Sequence, residues 1–290
     1  MKQGFLIFNP TSGTAVKSKP VVASVLRQFQ RRGLDLTPSP TEPDGNVTLQ
    51  VRELLTQSPD LIVAWGGDGT INEIVNGMFG SAVPLGIIPG GTANLLAREL
   101  KLSRRPPDSI RIIAQGQTKK ISVGQANNRY FLLMVGIGFD SAVIRNVDRS
   151  LKRRFGKFAF GVSALNTARS YEYPRFKVKT PEREEECVFA VICNAKEYAA
   201  YFILTPLADI FDEYFHVCLF KDSGFGNMSR YVMHALRRQH DKLQSVELFR
   251  TTELEVTGPS EIAVQADGEL IGYLPMKFQI HPRSLTIFCP

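Results

Sequence analysis

The sequence lacks the long apolar run and the cysteine pattern that two large classes of protein require. No uninterrupted apolar stretch approaches the ~18 residues of a membrane-spanning helix, and the apolar residues 5–8 are too few for the core of a signal peptide. Only four cysteines occur among 290 residues, and none forms a Cys-x-x-Cys pair. We therefore expect no disulfide framework and no zinc site, and we expect a cytoplasmic protein.

Basic residues outnumber acidic residues in this sequence. Lys and Arg number 35 against 28 Asp and Glu, which gives a net charge of +7 and a pI near 9.3. This excess favours anionic partners such as nucleotide phosphates or anionic lipid head groups. No base-stacking motif accompanies it, so we do not expect a nucleic-acid partner.

Two hydrophobic patterns divide the chain. Through roughly the first 115 residues, apolar strands such as 61–65 and 85–88 alternate with helical segments, which is typical of a parallel sheet with helices on both faces. From about residue 130, short strand-like runs indicate an antiparallel sandwich, interrupted by helices near 139–155 and 228–240. We predict an α/β domain over 1–122 and a β-rich domain over 123–290, whose last strand is a candidate to return to the first domain.

A glycine-rich turn follows the apolar strand 61–65. Residues 66–73 are Gly-Gly-Asp-Gly-Thr-Ile-Asn-Glu, and a helix is predicted to begin near Thr70. Glycines let backbone N–H groups approach a phosphate, and the helix N-terminus adds partial positive charge. Asp68 would face the phosphates, which suits an acidic group only where Mg²⁺ or a positive network accompanies it. The alternative is a turn in which Asp68 only caps the helix.

Two similar turns follow other predicted strands of the same domain. Residues 9–13 are Asn-Pro-Thr-Ser-Gly, and residues 89–94 are Pro-Gly-Gly-Thr-Ala-Asn. Ligands of open α/β sheets bind outside the carboxyl ends of the strands, so the three turns are expected to converge on one cleft. Neither a Walker A loop nor a Gly-x-Gly-x-x-Gly fingerprint is present.

These three turns, in this order, resemble the catalytic domain of the diacylglycerol kinase and sphingosine kinase group. The resemblance continues through Gly-Ile-Gly-Phe-Asp at 136–140 and Asp-Gly-Glu at 267–269. It implies an NAD kinase-like α/β domain, a β-sandwich domain and an active site in the cleft between them. It also implies an ATP- and Mg²⁺-dependent kinase that phosphorylates a lipid hydroxyl, such as that of diacylglycerol, at a membrane surface. The oligomeric state stays open, a homodimer included.

The resemblance further implies roles for individual residues. Glu269 would be the general base that accepts the proton of the lipid hydroxyl, and Asp68 would be the second catalytic residue. ATP would be held by Asn9, Thr41, Gly66, Gly67, Asp68, Gly69, Thr70, Ile71, Asn72 and Thr92. From the residues alone, Asp267-Gly268 is also a strong signal for an ordinary hairpin turn, and only the resemblance outweighs that alternative.

A structural Mg²⁺ site is implied on the loop that in the family is Pro-x-Ala-x-x-Asp-Asp-Gly. Asp212 would supply the carboxylate, and Asp209 and Tyr214 would supply backbone carbonyls. In this chain, however, Phe211 replaces the first acid and Glu213 replaces the glycine. Loss of the glycine can change the geometry of the turn, and a polar surface turn is the alternative.

Three further possibilities stay open from the sequence. The predicted helix over 139–155 carries apolar side chains at four-residue steps among many basic ones. It would suit either an anionic membrane surface or packing against the sandwich with a solvated basic face. The chain could also be an NAD kinase-like enzyme, because that group shares the Gly-Gly-Asp-Gly turn, or a catalytically silent lipid- or nucleotide-binding relative.

Overall fold

Strands and helices alternate through the first part of the chain and give way to antiparallel strands in the second. The structure is a computed structural model that describes residues 1–10, 18–42, 45–146, 167, 169–196 and 203–290. Its contacts divide the chain into two units. The first comprises Met1–Val123 and His281–Pro290, and the second comprises Gly124–Ile280.

The first unit is built from a parallel sheet and its connecting helices. Its elements are β1 (Lys2–Phe8), α1 (Lys19–Gln30), β2 (Leu34–Pro40), α2 (Val47–Leu55), β3 (Leu61–Gly66), α3 (Asp68–Met78), β4 (Leu85–Pro89), α4 (Leu95–Glu99), α5 (Pro106–Gln115) and β5 (Thr118–Ala126). The strand order is β2-β1-β3-β4, with every neighbouring pair parallel.

Strand β3 shows why this sheet must be covered on both faces. All six of its residues are buried, so the side chains that alternate between the two faces find apolar partners on each. Leu61, Val63 and Trp65 pack in a core with residues of α1 and α5, whereas Ile62 and Ala64 are equally buried on the opposite face. A continuous apolar run is the expected signature of such a strand.

Strand β2 and the start of α2 were not visible in the hydrophobic pattern. β2 contains Pro38 and Pro40, which lack the N–H group that a central strand needs. It lies at the edge of the sheet, where one side of the strand makes no ladder hydrogen bonds. Helix α2 begins at Val47, because the side chain of Asn46 accepts a hydrogen bond from the Leu49 N–H and caps the helix there.

The second unit consists mainly of antiparallel strands. Its elements are β6 (Arg129–Phe131), β7 (Met134–Gly138), α6 (Phe139–Asn146), β8 (Phe176–Lys179), β9 (Glu184–Cys187), β10 (Phe189–Cys193), β11 (Phe215–Phe220), α7 (Phe225–Leu236), β12 (Val246–Thr251), β13 (Glu253–Thr257), β14 (Ala263–Ala266), β15 (Glu269–Tyr273) and β16 (Met276–Phe288). Strand β16 begins in this unit and ends in the first, where Ile287 pairs in parallel with Leu85 of β4.

Two layers of strands enclose the core of the second unit. One layer has the order β12-β11-β10-β7-β14-β15, and the other contains β13 between β8 and the first part of β16. Val135 and Ile192 of the first layer share a core with Val178, Val256 and Phe278 of the second. The predicted fold class, a parallel α/β domain followed by a β-sandwich, is confirmed. The predicted helix over 139–155 is observed as α6, and residues 147–155 lie outside the described residues.

Candidate active site

The ends of three parallel strands lie level with one another at the carboxyl edge of the first sheet. Phe8 of β1 pairs with Trp65 of β3, and Trp65 pairs with Ile88 of β4. The turns that follow these strands therefore start at the same edge. Thr41, which follows β2, belongs to the same group because its N–H donates to the Phe8 carbonyl at 2.9 Å.

Not every residue of the turn after β1 can be placed. Asn9 lies at this edge, directly after β1, whereas residues 11–13 lie outside the described residues. Thr41, at the same edge, is buried, with only 6% of its surface exposed.

The turns after β3 and β4 pack directly against each other through their glycines. The Gly90 N–H donates to the Gly66 carbonyl at 2.7 Å. A Cβ atom on Gly91 would lie only 2.5 Å from the Cα of Gly67, which is backbone and cannot rotate away. Any larger residue at position 91 would therefore push the two turns apart.

Helix α3 begins within the first of these turns. Its N-cap is Gly67, which has no side chain to accept hydrogen bonds from the first N–H groups of the helix. Asp68, Gly69 and Thr70 form the first turn, where backbone N–H groups lack intrahelical acceptors and the helix dipole is positive. The sequence thus places an anion-binding element at the edge where the strands end.

Ile71 and Asn72 contribute to this element from within the fold. Ile71 is fully buried and its N–H donates to the Gly67 carbonyl at 3.0 Å. Asn72 is 4% exposed, and its side-chain oxygen lies 3.1 Å from the Asn76 amide nitrogen. Both residues fix the start of α3, and neither side chain is at the surface.

Asp68 reaches across to the neighbouring turn. Its carboxylate faces the backbone N–H groups at the start of α4, with Oδ1 3.4 Å from the Leu96 nitrogen. Burial raises the pKa of the Asp68 carboxyl, although hydrogen bonds from the N–H groups of Leu96, Leu95 and Asn94 act in the opposite direction. Asp68 therefore caps a helix, but the helix is α4 and not its own.

The turn before α4 is closed by Asn94. This residue adopts the left-handed conformation, with φ 51°, and is 2% exposed. Its side chain accepts from the Gly91 N–H and donates to the Gly91 carbonyl, both at 2.8 Å. Thr92 is left exposed at the tip of the turn, and α4 begins at Leu95.

Arg104 is a member of this site that the sequence did not reveal. Its guanidinium donates to the carbonyls of Gly91 and Thr92, at 3.2 and 2.8 Å. Arg104 lies ten or more residues after this turn in the sequence, so no local pattern predicts the contact. Only the folded chain brings the guanidinium close to the turn. Its exposed cationic side chain adds positive charge to the turn.

The Asp-Gly-Glu motif in the second unit is a tight hairpin turn between β14 and β15. Asp267 and Gly268 have φ values of 50° and 86°, as a two-residue turn with the twist of the flanking strands requires. The Asp267 carboxylate accepts three backbone N–H groups, from Leu132, Leu133 and Met134, at 2.7 to 3.0 Å. The first two residues of the motif are therefore structural.

A buried glutamine ties this turn to the Gly-Ile-Gly-Phe-Asp segment. Gln265 is fully buried; its side-chain oxygen accepts from the Gly268 N–H at 2.9 Å. Its amide nitrogen donates to Asp140 Oδ2 at 2.6 Å. The two motifs that the sequence separates by more than 120 residues are thus joined through one side chain.

Glu269 is the most exposed residue of the motif. Its carboxylate forms an ion pair with Arg129, and the two side chains are 47% and 38% exposed. Arg129 follows the Asn127-Asn128 turn between β5 and β6. An accessible carboxylate can accept a proton from a bound hydroxyl when the two are within hydrogen-bond reach.

The magnesium site that the resemblance implied on the loop 206–214 stays a prediction. One oxygen of its proposed carboxylate ligand contacts a histidine ring, since His216 Nε2 lies 3.1 Å from Asp212 Oδ2. The Asp209 carbonyl accepts the Asp212 N–H at 2.9 Å, and the Asp209 carboxylate accepts the Phe211 N–H at 3.0 Å. Among the described residues, no three acidic, histidine or cysteine side chains are grouped to hold a metal ion.

Comparison with known proteins identifies the family to which both units belong. The model of the diacylglycerol kinase catalytic domain matches residues 3–126, and that of the YegS C-terminal NAD kinase beta sandwich-like domain matches residues 133–289. The chain belongs to the diacylglycerol kinase family of lipid kinases. The resemblance found in the sequence is therefore confirmed.

Individual relatives match the chain from end to end. It is 27% identical to a diacylglycerol kinase of Staphylococcus epidermidis and 26% identical to one of Staphylococcus saprophyticus. These matches cover 100% of this chain and 92% and 96% of the relatives. The crystal structure of a diacylglycerol kinase from Bacillus anthracis matches with a TM-score of 0.80 at 23% identity, covering 100% of this chain and 97% of the other, which shows a shared fold.

The helices are too short or too polar to span a bilayer in the described part of the chain. Helix α7, with 12 residues, falls short of the ~18 residues needed.

The buried Asp68 carboxyl predicts a pH-dependent effect on stability. Because its folded-state pKa is raised, its contribution to stability is present when it is protonated and is lost as pH rises through that pKa. We expect Asp68→Asn, which keeps an acceptor oxygen, to unfold at a higher Tm than the wild type at neutral pH. This advantage should shrink as pH falls toward the ordinary aspartate range.

Circular dichroism melts across this pH range test the prediction. Asp35→Asn, at an exposed aspartate of β2, is the matched control and should leave Tm unchanged at each pH. A lower Tm for Asp68→Asn at neutral pH would show that the ionised carboxylate stabilises the fold.

Proposed function

We propose that this family member transfers the γ-phosphate of MgATP to the hydroxyl of a diacylglycerol-like lipid. The observation that supports this most is the direct packing of the Gly66-Gly67 and Gly90-Gly91 turns at the sheet edge. It leaves the N-terminal N–H groups of α3 at the end of β3, where a nucleotide phosphate would bind.

In this proposal the first unit holds the nucleotide. The backbone of Gly67, Gly69 and Thr70 binds the phosphates, and Asn9, Thr41 and Thr92 line the nucleotide pocket. Ile71 and Asn72 keep α3 in place. Asp68 acts as a positioning residue that joins the two phosphate turns by capping α4. Mg²⁺ bound with ATP would supply neutralisation of the charge on the transferring phosphoryl group.

The second unit supplies the proton acceptor. The lipid hydroxyl oxygen attacks the γ-phosphorus, a new O–P bond forms, and the bond to the bridging oxygen breaks to release ADP. The hydroxyl proton passes to the Glu269 carboxylate. Arg129 holds that carboxylate in one orientation through their ion pair. Since phosphoryl transfer depends mostly on positioning, a fixed base matters more than an unusually basic one.

Transfer from γ-labelled ATP in mixed micelles tests the reaction. Wild-type protein is incubated with Mg²⁺, labelled ATP and diacylglycerol, with NAD in a parallel reaction. Label in phosphatidic acid supports the proposal, and label in NADP supports the NAD kinase-like alternative. Binding of ATP without label in either product supports a catalytically silent relative.

Removal of the proposed base should abolish most of the transfer. We expect Glu269→Gln to lower kcat by about 10²- to 10⁴-fold with little change in the KM for MgATP. Tm should change little, because an exposed ion pair contributes only ~0–1 kcal/mol. Glu261→Gln, at an exposed carboxylate beside β14, is the matched control and should keep full activity. Wild-type kcat in Glu269→Gln would remove Glu269 from the mechanism.

The contact between the glycine turns predicts a specific loss of nucleotide affinity. Gly91→Ala must displace the Gly67 backbone, so we expect the Kd for MgATP to rise about ten-fold, or ~1.4 kcal/mol. The single tryptophan, Trp65, is the last residue but one of β3 and lies beside the turn, so its fluorescence can report binding. Gly226→Ala, where a Cβ would meet no atom within 4 Å, is the control. An unchanged Kd for Gly91→Ala would place the phosphates elsewhere.

A further inference from the structure

Helix α7 carries apolar side chains on two different faces. Met228, Tyr231 and Ala235 are buried and attach the helix to the second unit. A second set lies at helical spacing along the neighbouring face and is 38–54% exposed: Phe225, Val232, Met233 and Leu236. One amphipathic helix needs only the first set to pack on its own domain.

Contacts of Tyr231 hold α7 in the orientation that leaves the second set of apolar side chains exposed. The Tyr231 hydroxyl donates to Ser245 Oγ and accepts from the Asp222 N–H, both at 2.9 Å. The Tyr231 ring packs against Phe220 with the centroids 4.9 Å apart. Because these contacts fix the rotation of α7, the second apolar face points outward and does not exchange with the first.

Positive charge surrounds this face without negative charge in the same segment. Arg230, Arg237 and Arg238 are exposed, and no Asp or Glu occurs from Ser223 to His240. The Arg169 guanidinium lies 5.9 Å from the Phe225 ring centroid and adds a further cation. The segment 223–240 thus combines exposed aliphatic and aromatic side chains with arginines and contains no acidic residue.

A lipid bilayer with anionic head groups matches both properties of the surface. Apolar side chains of an interfacial helix enter the boundary between head groups and acyl chains, while arginines meet lipid phosphates. A second copy of the chain matches poorly, because a two-fold contact between the same faces would set these arginines against one another. A helix of 12 residues can lie in the interface plane without crossing it.

We propose that α7 docks the second unit on an anionic membrane surface through Phe225, Val232, Met233 and Leu236, with Arg230, Arg237 and Arg238 at the head groups. The inference rests on the proposed function in one respect: an enzyme with a lipid acceptor must reach that lipid at a membrane. The docking itself requires neither nucleotide nor catalysis and can be measured separately.

Vesicle flotation with the full chain and no nucleotide tests the docking. Vesicles of phosphatidylcholine alone are compared with vesicles that contain phosphatidylglycerol. We expect binding to the anionic vesicles, weakening as salt rises. Met233→Ser/Leu236→Ser and Arg237→Glu/Arg238→Glu should each lower the partition coefficient about ten-fold or more.

Two matched pairs of control substitutions come from the first unit. Val21→Ser/Leu49→Ser removes exposed apolar side chains from other helices, and Arg31→Glu/Arg32→Glu reverses an arginine pair just after the C-terminus of α1. Both should bind anionic vesicles as the wild type does. Equal losses in the controls would show that the effects are general and would overturn the assignment to α7.

A second measurement separates failed docking from a failed reaction or a failed fold. Transfer to diacylglycerol dispersed in detergent micelles should persist in the α7 variants, as should Tm, since α7 holds no proposed catalytic residue. If the protein lacks kinase activity altogether, flotation still decides the docking. Wild-type flotation of both α7 variants, or a dimer in sedimentation velocity that Arg237→Glu/Arg238→Glu dissociates, would overturn the proposal.

Discussion

The contact between two glycine turns is the constraint on which the candidate site depends. Gly67 and Gly91 approach so closely that a Cβ on Gly91 would lie 2.5 Å from Gly67 Cα, and one on Gly67 would lie 3.2 Å from Gly91 Cα. This proximity follows from the level ends of β3 and β4. It brings the start of α4 within reach of Asp68. Without the close approach, the two turns would be separate loops and α3 would present its N-terminus alone.

Much of the fold followed from periodicity, because buried parallel strands and antiparallel strands leave different hydrophobic patterns. The convergence of the turns also followed, since parallel strands end at one edge. Long-range partners could not be predicted in this way. Nothing near Asp68 indicates that its carboxylate meets Leu96, and nothing near Arg104 indicates its bonds to Gly91. Strand β2 was not predicted, because Pro38 lacks the N–H group expected of a strand residue and is tolerated only at the edge of a sheet.

The structural and the catalytic interpretations of the Asp-Gly-Glu motif concern different residues, and the structure describes the first while the second is the proposal made above. Asp267 and Gly268 make the hairpin, and the Asp267 carboxylate is fully used by three backbone N–H groups. That rigid arrangement fixes where Glu269 begins, while its exposed side chain stays available for chemistry. The hairpin therefore fixes the backbone position of Glu269, and a general base acts well only when its position relative to the reacting group is fixed.

The same reasoning explains how an acidic residue can belong to a turn proposed to bind phosphates. An ionised carboxylate facing a phosphate would repel it, and burial already disfavours the charge of Asp68. The Asp68 carboxylate points instead toward the backbone N–H groups of Asn94, Leu95 and Leu96. Their partial positive charge stabilises the ionised form of the carboxylate. The N–H groups of α3 then stay available for the proposed nucleotide, so the acid and the phosphate would use two different helix starts.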